Sequence, residues 1–293
     1  MKPAAVAASN LRRLEVERSP FGPDPRHMSD SANIDQAVAF LRKRVTSCPD
    51  LAIVLGSGLG GFADALQDPV TIPAHDIPHY PRSTVEGHKG ELVWGRLGEK
   101  HVLAVRGRVH FYESGSLETV LFPIRTLAAL GTKTLVITNA AGGVNRTFVP
   151  GDLMVISDQL NLTGMGLPAG APRGRSTADY YVPALRKLAL ATAERLGIRV
   201  VTGSYAGVKG PSYETAAEVE MVHRLGGDAV GMSTVMETAM AVAHGMEVLG
   251  ISCITNKATG TSSAKLDHAE VTEVANRVKE NFALLLREII VNI

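Results

Sequence analysis

The sequence has few cysteines and almost no net charge. Cys48 and Cys253 are the only cysteines in 293 residues, and they do not fit the spacing of a metal site or a disulfide framework. The 30 basic residues nearly cancel the 29 acidic ones, so no long-range positive field is available to attract a nucleic acid. These shortages predict a cytoplasmic protein with no metal centre and no nucleic-acid partner.

Long apolar runs are also missing. A membrane-spanning helix needs about 18 or more uninterrupted apolar residues, and Glu237, His244 and Glu247 interrupt the most apolar region. The first residues contain no apolar segment typical of a secretory signal. We therefore expect no membrane association. We also expect residues 1–30 to form a disordered tail ahead of one domain over residues 31–293.

The hydrophobic pattern predicts strands and helices in alternation. The run LAIVLG from Leu51 is typical of a buried strand, as is the later run VLGISCIT. Between them, a helix is predicted from Pro183 to Gly197, followed by strands near 200 and 229 that flank another helix. This alternation predicts one α/β domain with a central mixed, largely parallel sheet flanked by helices.

A glycine-rich segment, GSGLGG from Gly56, follows the first strand directly. Backbone N–H groups in such a turn, with the start of a helix behind them, can converge on an anion. The same letters satisfy the dinucleotide pattern G-x-G-x-x-G, so a nicotinamide or flavin oxidoreductase is an alternative. That alternative needs a second strand soon afterwards, whereas the prolines in TIPAHDIPHYPRST predict irregular chain. The segment therefore favours a phosphate site, although Gly60 and Gly61 alone also fit a simple tight turn.

Other polar segments are ambiguous when taken singly. Arg108, His110 and Tyr112 alternate in GRVHFYE, which predicts one strand face carrying all three, or equally a half-exposed strand facing solvent. His88 in EGHKGEL fits a surface loop, and Glu214 in GPSYET fits an acid that stabilises a helix start. TNAAGG, GMST and ITNKATG each end an apolar strand, which is the usual position of ligand contacts in an open α/β sheet.

Taken together, GSGLGG, EGHKGEL, GRVHFYE, TNAAGGVN, GDLMVISDQLNLTG, GPSYETAAE, GGDAVGMST and ITNKATG resemble, in order and spacing, the trimeric purine nucleoside phosphorylase family of the 6-oxopurine-specific type. The resemblance implies a pentosyltransferase of purine salvage. Such an enzyme uses phosphate to cleave inosine, guanosine and their 2′-deoxy forms, reversibly, to the free base and (deoxy)ribose 1-phosphate. It also implies a homotrimer with active sites near the subunit interfaces. Phosphate is then a co-substrate, and no cofactor or metal is expected.

The resemblance also assigns residues to three parts of one site. Asn256, Glu214 and His110 would be the catalytic residues. Phosphate would be surrounded by Ser57, His88, Arg108, His110, the backbone N–H of Ala140 and Ser233. The ribose would contact Tyr112, Met232 and His268. The base pocket would contain Tyr213, Glu214, Val230 and Asn256 and, less directly, Thr255 and Lys257.

The chemistry of these residue types suits a 6-oxopurine. The leaving purine gathers negative charge as the ribose becomes oxocarbenium-like, so donors to the base and a nearby dianion stabilise the transition state. Asn256 can donate to N7 and O6, and Glu214 can accept from N1–H and a 2-amino group. A methylthioadenosine phosphorylase, expected to carry aspartate at position 256, and a purine sensor without turnover remain alternatives.

One segment departs from the family. Between Asn161 and Tyr180 the loop is shorter than expected and lacks the aromatic stretch that reaches the neighbouring subunit's site. Tyr180 or Tyr181 would be the substitute.

Overall fold

The computed structural model describes residues 25–56, 59–85, 88–172, 180–261 and 268–293. Its first helix crosses residue 31, where the sequence places the start of the domain. The α-helices are α1 (Pro25–Arg42), α2 (Phe111–Ser114), α3 (Leu117–Leu130), α4 (Pro183–Leu196), α5 (Ala216–Arg224), α6 (Val235–Ala243) and α7 (His268–Val291). The strands are β1 (Leu51–Leu55), β2 (Gln67–Pro73), β3 (Glu91–Leu97), β4 (Lys100–Arg106), β5 (Thr134–Gly143), β6 (Leu153–Asn161), β7 (Val200–Gly207), β8 (Ala229–Gly231) and β9 (Glu247–Lys257).

The strands of the described chain form one mixed sheet in the order β2-β3-β4-β1-β5-β8-β7-β6-β9. Strand β5 also pairs with β9, so the last five strands in this order close into a ring. Parallel pairs are β1–β4, β1–β5, β5–β9, β6–β7 and β7–β8, and antiparallel pairs are β2–β3, β3–β4, β5–β8 and β6–β9. The predicted fold class is confirmed, whereas the closure into a ring was not predicted.

Burial on both faces of the sheet explains the apolar strands. In β1, Ala52 and Val54 pack into a core that contains residues of α1, α3 and α6. Leu51, Ile53 and Leu55 point the other way, into a core that contains residues of α4 and α7. A strand covered on both sides needs apolar residues at every position rather than at alternate ones.

The predicted ends of α4 agree with the structure. Helix α4 begins at Pro183 and ends before Gly197, which takes the left-handed conformation that suits glycine. Helix α6 ends at Ala243, and α7 begins at His268. Asp267, which has capping-box spacing to Glu270 in the sequence, lies outside the described residues. No helix in the described ranges is both long and apolar enough to cross a membrane.

Two predictions near the glycine-rich segment are confirmed only in part. The segment leads into a short 3₁₀ helix, Gly60–Ala65, rather than an α-helix. The chain then forms β2, so Thr71–Pro73 are not irregular. Proline is tolerated there because β2 is an edge strand. β2 pairs antiparallel with β3 and not with β1. The strand that directly follows the glycine-rich turn and its helix is therefore not the parallel neighbour of β1 that a dinucleotide site requires.

Candidate active site

An open cleft, with about 770 Å³ of empty space when the adjoining solvent is included, lies where β1, β5, β8 and β9 end. The carboxyl ends of parallel strands are the usual ligand position in sheets of this kind. Ten of the predicted site residues line this cleft: Arg108, His110, Tyr112, Ala140, Tyr213, Glu214, Val230, Met232, Ser233 and Asn256. Segments far apart in sequence therefore meet in one place.

The remaining predicted residues have different positions. Thr255 lines the cleft, whereas Lys257 is not among the lining residues, and its amino group donates to the carbonyl of Arg146 at 2.8 Å. His88 lies behind His110, with the two rings stacked at 5.5 Å between centroids. Ser57 lies outside the described residues, and for His268 only the main-chain position at the start of α7 is described.

The turn after β1 is fastened to β5. The backbone N–H of Gly56 donates to Oγ1 of Thr138 at 3.1 Å, and that hydroxyl donates to the carbonyl of Val54 at 3.0 Å. A side chain at position 56 would place its Cβ 2.8 Å from the Cα of Asn139. Glycine is therefore required here because the two strand ends approach too closely for any larger residue.

The segment GRVHFYE is not one strand, so that prediction was wrong. Strand β4 ends at Arg106, and Gly107 has φ +105°, a conformation that few residues other than glycine adopt. His110 precedes α2, and Tyr112 lies within it. The rings of His110 and Tyr112 stack at 4.9 Å between centroids, so these side chains still converge, although through a bend rather than through strand alternation.

The His110 ring is held by Glu113. Nδ1 of His110 lies 2.9 Å from Oε1 of Glu113. Burial alone would raise the pKa of Glu113, but hydrogen bonds from His110 and Thr84 outweigh burial and lower that pKa to about 2. Glu113 is therefore ionised near neutral pH, and its carboxylate can accept a hydrogen bond from a protonated Nδ1 of His110. This leaves Nε2 as the ring nitrogen available to a ligand.

Both imidazoles are neutral near pH 7. Burial, followed by electrostatic repulsion from protonated His110 and from Arg108, lowers the pKa of His88 to about 4. Burial and the neighbouring Arg108 also lower the pKa of His110, against the opposing effect of Glu113. Arg108 is therefore the permanent cation of this group.

Arg108 belongs to a buried network at the start of α6. Its Nη1 donates to Oε2 of Glu237 at 2.9 Å, and its Nη2 donates to the carbonyl of Thr138. The same Oε2 accepts the backbone N–H of Thr234 at 2.7 Å. Thr234 Oγ1 accepts from Nδ2 of Asn139 at 2.9 Å and lies 3.0 Å from Oγ of Ser233.

The other part of the cleft contains an irregularity in β9. Ile254 pairs with Ala141 and Asn256 pairs with Gly142, so Thr255 is an extra residue without a partner on β5. Such a bulge re-aims side chains, and here the consecutive residues Thr255 and Asn256 both line the cleft.

The Asn256 amide is oriented by its neighbours. Its Oδ1 accepts from Oγ1 of Thr255 at 3.0 Å, and its Nδ2 donates to the carbonyl of Lys257 at 3.0 Å. The second Nδ2 hydrogen remains for a ligand. A Cβ on Gly142 would lie 3.4 Å from this nitrogen and 3.6 Å from Val230, so Asn256 and Val230 lie side by side.

Glu214 lies just before a helix and not at its first position. Helix α5 begins at Ala216, and its start is capped by Thr215 and Glu218, which bond to each other reciprocally. The role of stabilising the helix start, which the sequence also allowed for Glu214, is thus taken by Glu218. Burial raises the pKa of Glu214, and Glu218 adds to the rise. A half-buried carboxylate without a capping role is available to a ligand.

Sequence reasoning missed three polar residues of this region. Asn139 lines the cleft, while Glu113 and Glu237 hold His110 and Arg108 from behind. A usable signal was present, because Glu237 follows Thr234 at the spacing of a capping box. Glu113 follows His110 at the same spacing.

The loop after β6 contradicts one expectation. Tyr181 was a candidate to reach a neighbouring subunit, but its side chain is fully buried within its own chain. Its hydroxyl donates to Oε1 of Gln159 at 2.9 Å. The Tyr180 hydroxyl donates to the carbonyl of Pro172. Tyr181 is thus a core residue and not an interface residue.

Comparison with known proteins defines the class. The phosphorylase superfamily matches residues 50–291, and the chain therefore belongs to that superfamily. Purine nucleoside phosphorylase 1 of Geobacillus stearothermophilus is 46% identical over 266 residues, which cover 88% of this chain and 97% of that protein.

Solved structures agree in fold and in family. Purine nucleoside phosphorylase of Schistosoma mansoni in complex with inosine superposes with a TM-score of 0.82 at 35% identity, covering 89% of this chain and 96% of that one. The complex of the enzyme with adenosine gives a TM-score of 0.81 at 36% identity, with coverages of 88% and 96%. Within its superfamily the chain falls among the purine nucleoside phosphorylases, pentosyltransferases that cleave the N-glycosidic bond of purine nucleosides with phosphate.

Proposed function

We propose that the cleft binds a 6-oxopurine nucleoside together with phosphate, and that it transfers the ribosyl or deoxyribosyl group from the base to phosphate. The observation that carries this proposal is that Arg108, His110 and Ser233 line the same cleft as Glu214 and Asn256. One set suits an anion, and the other suits the edge of a hypoxanthine or guanine.

Phosphate is held by the set around Arg108. The guanidinium supplies fixed charge-assisted donors, and the Ser233 hydroxyl and the backbone N–H of Ala140 add neutral ones. His110 contributes Nε2, and His88 supports the His110 ring from behind. We assign Ser57 to the same set from the sequence alone.

The base is held by Glu214 and Asn256. The Glu214 carboxylate accepts the N1–H of a 6-oxopurine, and the remaining Nδ2 hydrogen of Asn256 donates to N7 or O6. As the glycosidic bond breaks, electrons move onto the purine, so the Asn256 donor strengthens in the transition state. Val230 and the half-exposed Tyr213 ring provide apolar contact for the base.

The ribose lies between these two sets. Tyr112 and Met232 line that part of the cleft, and we assign His268 to the same ribose contact from the sequence. The sugar gains positive charge as the bond to the base weakens, and the adjacent phosphate dianion stabilises that charge before its oxygen bonds to C1′. The products are the free purine and the 1-phosphate of the sugar.

We further propose that the enzyme is a cytoplasmic homotrimer that needs no cofactor, with residues 31–293 as its phosphorylase domain. The resemblance in sequence supports the trimer. Light scattering on the purified protein tests it, and a monomer mass with full activity would exclude it.

The decisive experiment measures release of hypoxanthine from inosine, coupled to xanthine oxidase, with and without phosphate. Adenosine, followed through its own free base, is the comparison substrate. We expect phosphate-dependent release from inosine and much slower release from adenosine. Release without phosphate would identify a hydrolase, a preference for adenosine would favour the methylthioadenosine type, and purine binding without turnover would favour a sensor.

A further inference from the structure

Glu237 does not line the main cleft, but its carboxylate contacts Arg108, the permanent cation of that cleft. Oε2 of Glu237 lies 2.9 Å from Nη1 of Arg108, and the two side chains are only 5% and 4% exposed. A buried cation that loses its counter-ion is strongly destabilised. Glu237 therefore fixes both the charge environment and the position of Arg108.

The same carboxylate also fixes a strained turn. Its Oε2 accepts the backbone N–H of Thr234, which has φ +73°, a region that β-branched residues rarely enter. Strained backbone of this kind persists only where its surroundings determine it, and it is concentrated at functional sites. Through Thr234 Oγ1, the network reaches Asn139 and Ser233. Both residues line the cleft.

The Arg108 guanidinium is thus fixed on two sides. Nη1 is held by Glu237 and Nη2 by the carbonyl of Thr138. A guanidinium carries five N–H donors in one plane, so these two bonds set the plane, and the remaining donors are directed by it. Planar recognition of an oxyanion depends on that direction.

We propose that Glu237 is the positioning residue of the phosphate site: it holds Arg108 and Ser233 in register with each other without contacting phosphate itself. This inference rests on the proposed function, since it takes phosphate to bind at Arg108. Glu237 acts on phosphate binding and leaves recognition of the base to Glu214 and Asn256.

The test compares two substitutions at one position. Glu237→Gln keeps the side-chain volume and an oxygen that can accept the Thr234 N–H, because glutamine serves in capping boxes as well as glutamate. It removes only the negative charge that faces Arg108. Glu237→Asp keeps the charge but is one methylene too short to span Arg108 and Thr234 together.

We expect both variants to raise the KM for phosphate by about tenfold, because a charge-assisted hydrogen bond that orients the guanidinium is weakened or lost. The KM for inosine should stay within about twofold, and kcat at saturating phosphate should be largely retained, since base recognition is untouched. Phosphate should also protect the variants less against thermal unfolding than it protects the wild type.

The matched control is Glu218→Gln. Glu218 occupies the same position in the capping box of α5, where its Oε2 accepts the Thr215 N–H at 2.7 Å, but its side chain is exposed. The phosphate KM of this variant should not change. A merely structural role of Glu237 would lower the stability of both Glu237 variants without separating the KM for phosphate from the KM for inosine.

The outcomes separate the two proposals. An unchanged or lower phosphate KM in folded Glu237→Gln protein would overturn the positioning role. If that protein does not fold, the Glu237→Asp variant decides in the same way. Absence of phosphate-dependent turnover in the wild type would instead overturn the proposed function, and this is measured first.

Discussion

Nδ1 of His110 and Oε1 of Glu113 lie 2.9 Å apart, and the same carboxylate oxygen also accepts the backbone N–H of His110 at 2.6 Å. The Glu113 carboxylate therefore fixes the ring and the main chain of His110 at once. A ring fixed at Nδ1 presents Nε2 to a ligand in a single orientation. The glutamate thus contributes to the site although it does not line the cleft.

We expect Glu113→Gln to raise the KM for phosphate by about tenfold or more, since a hydrogen bond to a charged group is worth ~1.5–3 kcal/mol. The pKa of His110 should fall further, because Glu113 is one of the groups that raise it. Steady-state kinetics at varied phosphate measures the first effect. The exposed Glu118→Gln on the next helix is the control, and an equal effect in that variant would contradict the prediction.

We expect Glu214→Ala to reduce kcat/KM for inosine by at least tenfold, because loss of a buried contact that reads the base costs ~1–3 kcal/mol or more. The effect should fall on inosine, while the KM for phosphate changes little. Glu220→Ala, on the exposed side of α5 where Glu220 pairs with Arg224, is the control. An unchanged inosine rate in the Glu214 variant would remove Glu214 from the base pocket.

The raised pKa of Glu214 predicts a pH dependence. The group must be ionised to accept N1–H, and burial shifts its titration above the ordinary value of 4.5. Inosine binding should therefore weaken as the pH falls through this raised pKa. The KM for inosine measured from pH 8 to pH 5 tests it. The Glu214→Gln variant should not show this weakening in acid. If it does, the pH dependence belongs to another group.

We expect Asn256→Asp to raise the ratio of adenosine to inosine turnover, because a carboxyl group can accept from a 6-amino group. Asn256→Ala is the control, since it removes the amide donor without adding a carboxyl. It should slow both substrates without favouring adenosine. If the ratio does not change in the aspartate variant, position 256 does not distinguish the two bases.

His88 predicts a loss of stability in acid. Its folded pKa is about 4, against an ordinary value of 6.5, so between these values the unfolded chain binds more protons than the folded one. Unfolding is then favoured as the pH falls from 6.5 to 4. Chemical denaturation at pH 7 and pH 5 measures the difference. His88→Gln should narrow the difference, and an equal difference in that variant would contradict the prediction.

The fold could be predicted because its signals are local. Strand β1 is apolar throughout since both faces are covered, and Pro183 and Gly197 mark the two ends of α4. Closure of the sheet into a ring depends on pairs such as Leu153 with Cys253. No local pattern specifies a pairing between residues so distant in sequence.

The cleft residues could be predicted largely because they end strands or follow glycines. The path between them could not. Strand alternation was the wrong reason for grouping Arg108 with His110 and Tyr112, because Gly107 bends the chain after β4. Tyr181 was predicted to be accessible because no local sequence pattern shows that its hydroxyl donates to Gln159 inside the core.

The base contact proposed for Asn256 depends on the extra residue in β9 as well as on residue type. Because Thr255 has no partner on β5, Thr255 and Asn256 both face the cleft. In a regular pairing, with Thr255 opposite Gly142, the amide of Asn256 would lie on the other face of the sheet. A related chain could thus lose its purine preference with every pocket residue unchanged. Comparisons of specificity within this family should therefore match the β5–β9 pairing residue by residue before they compare side chains.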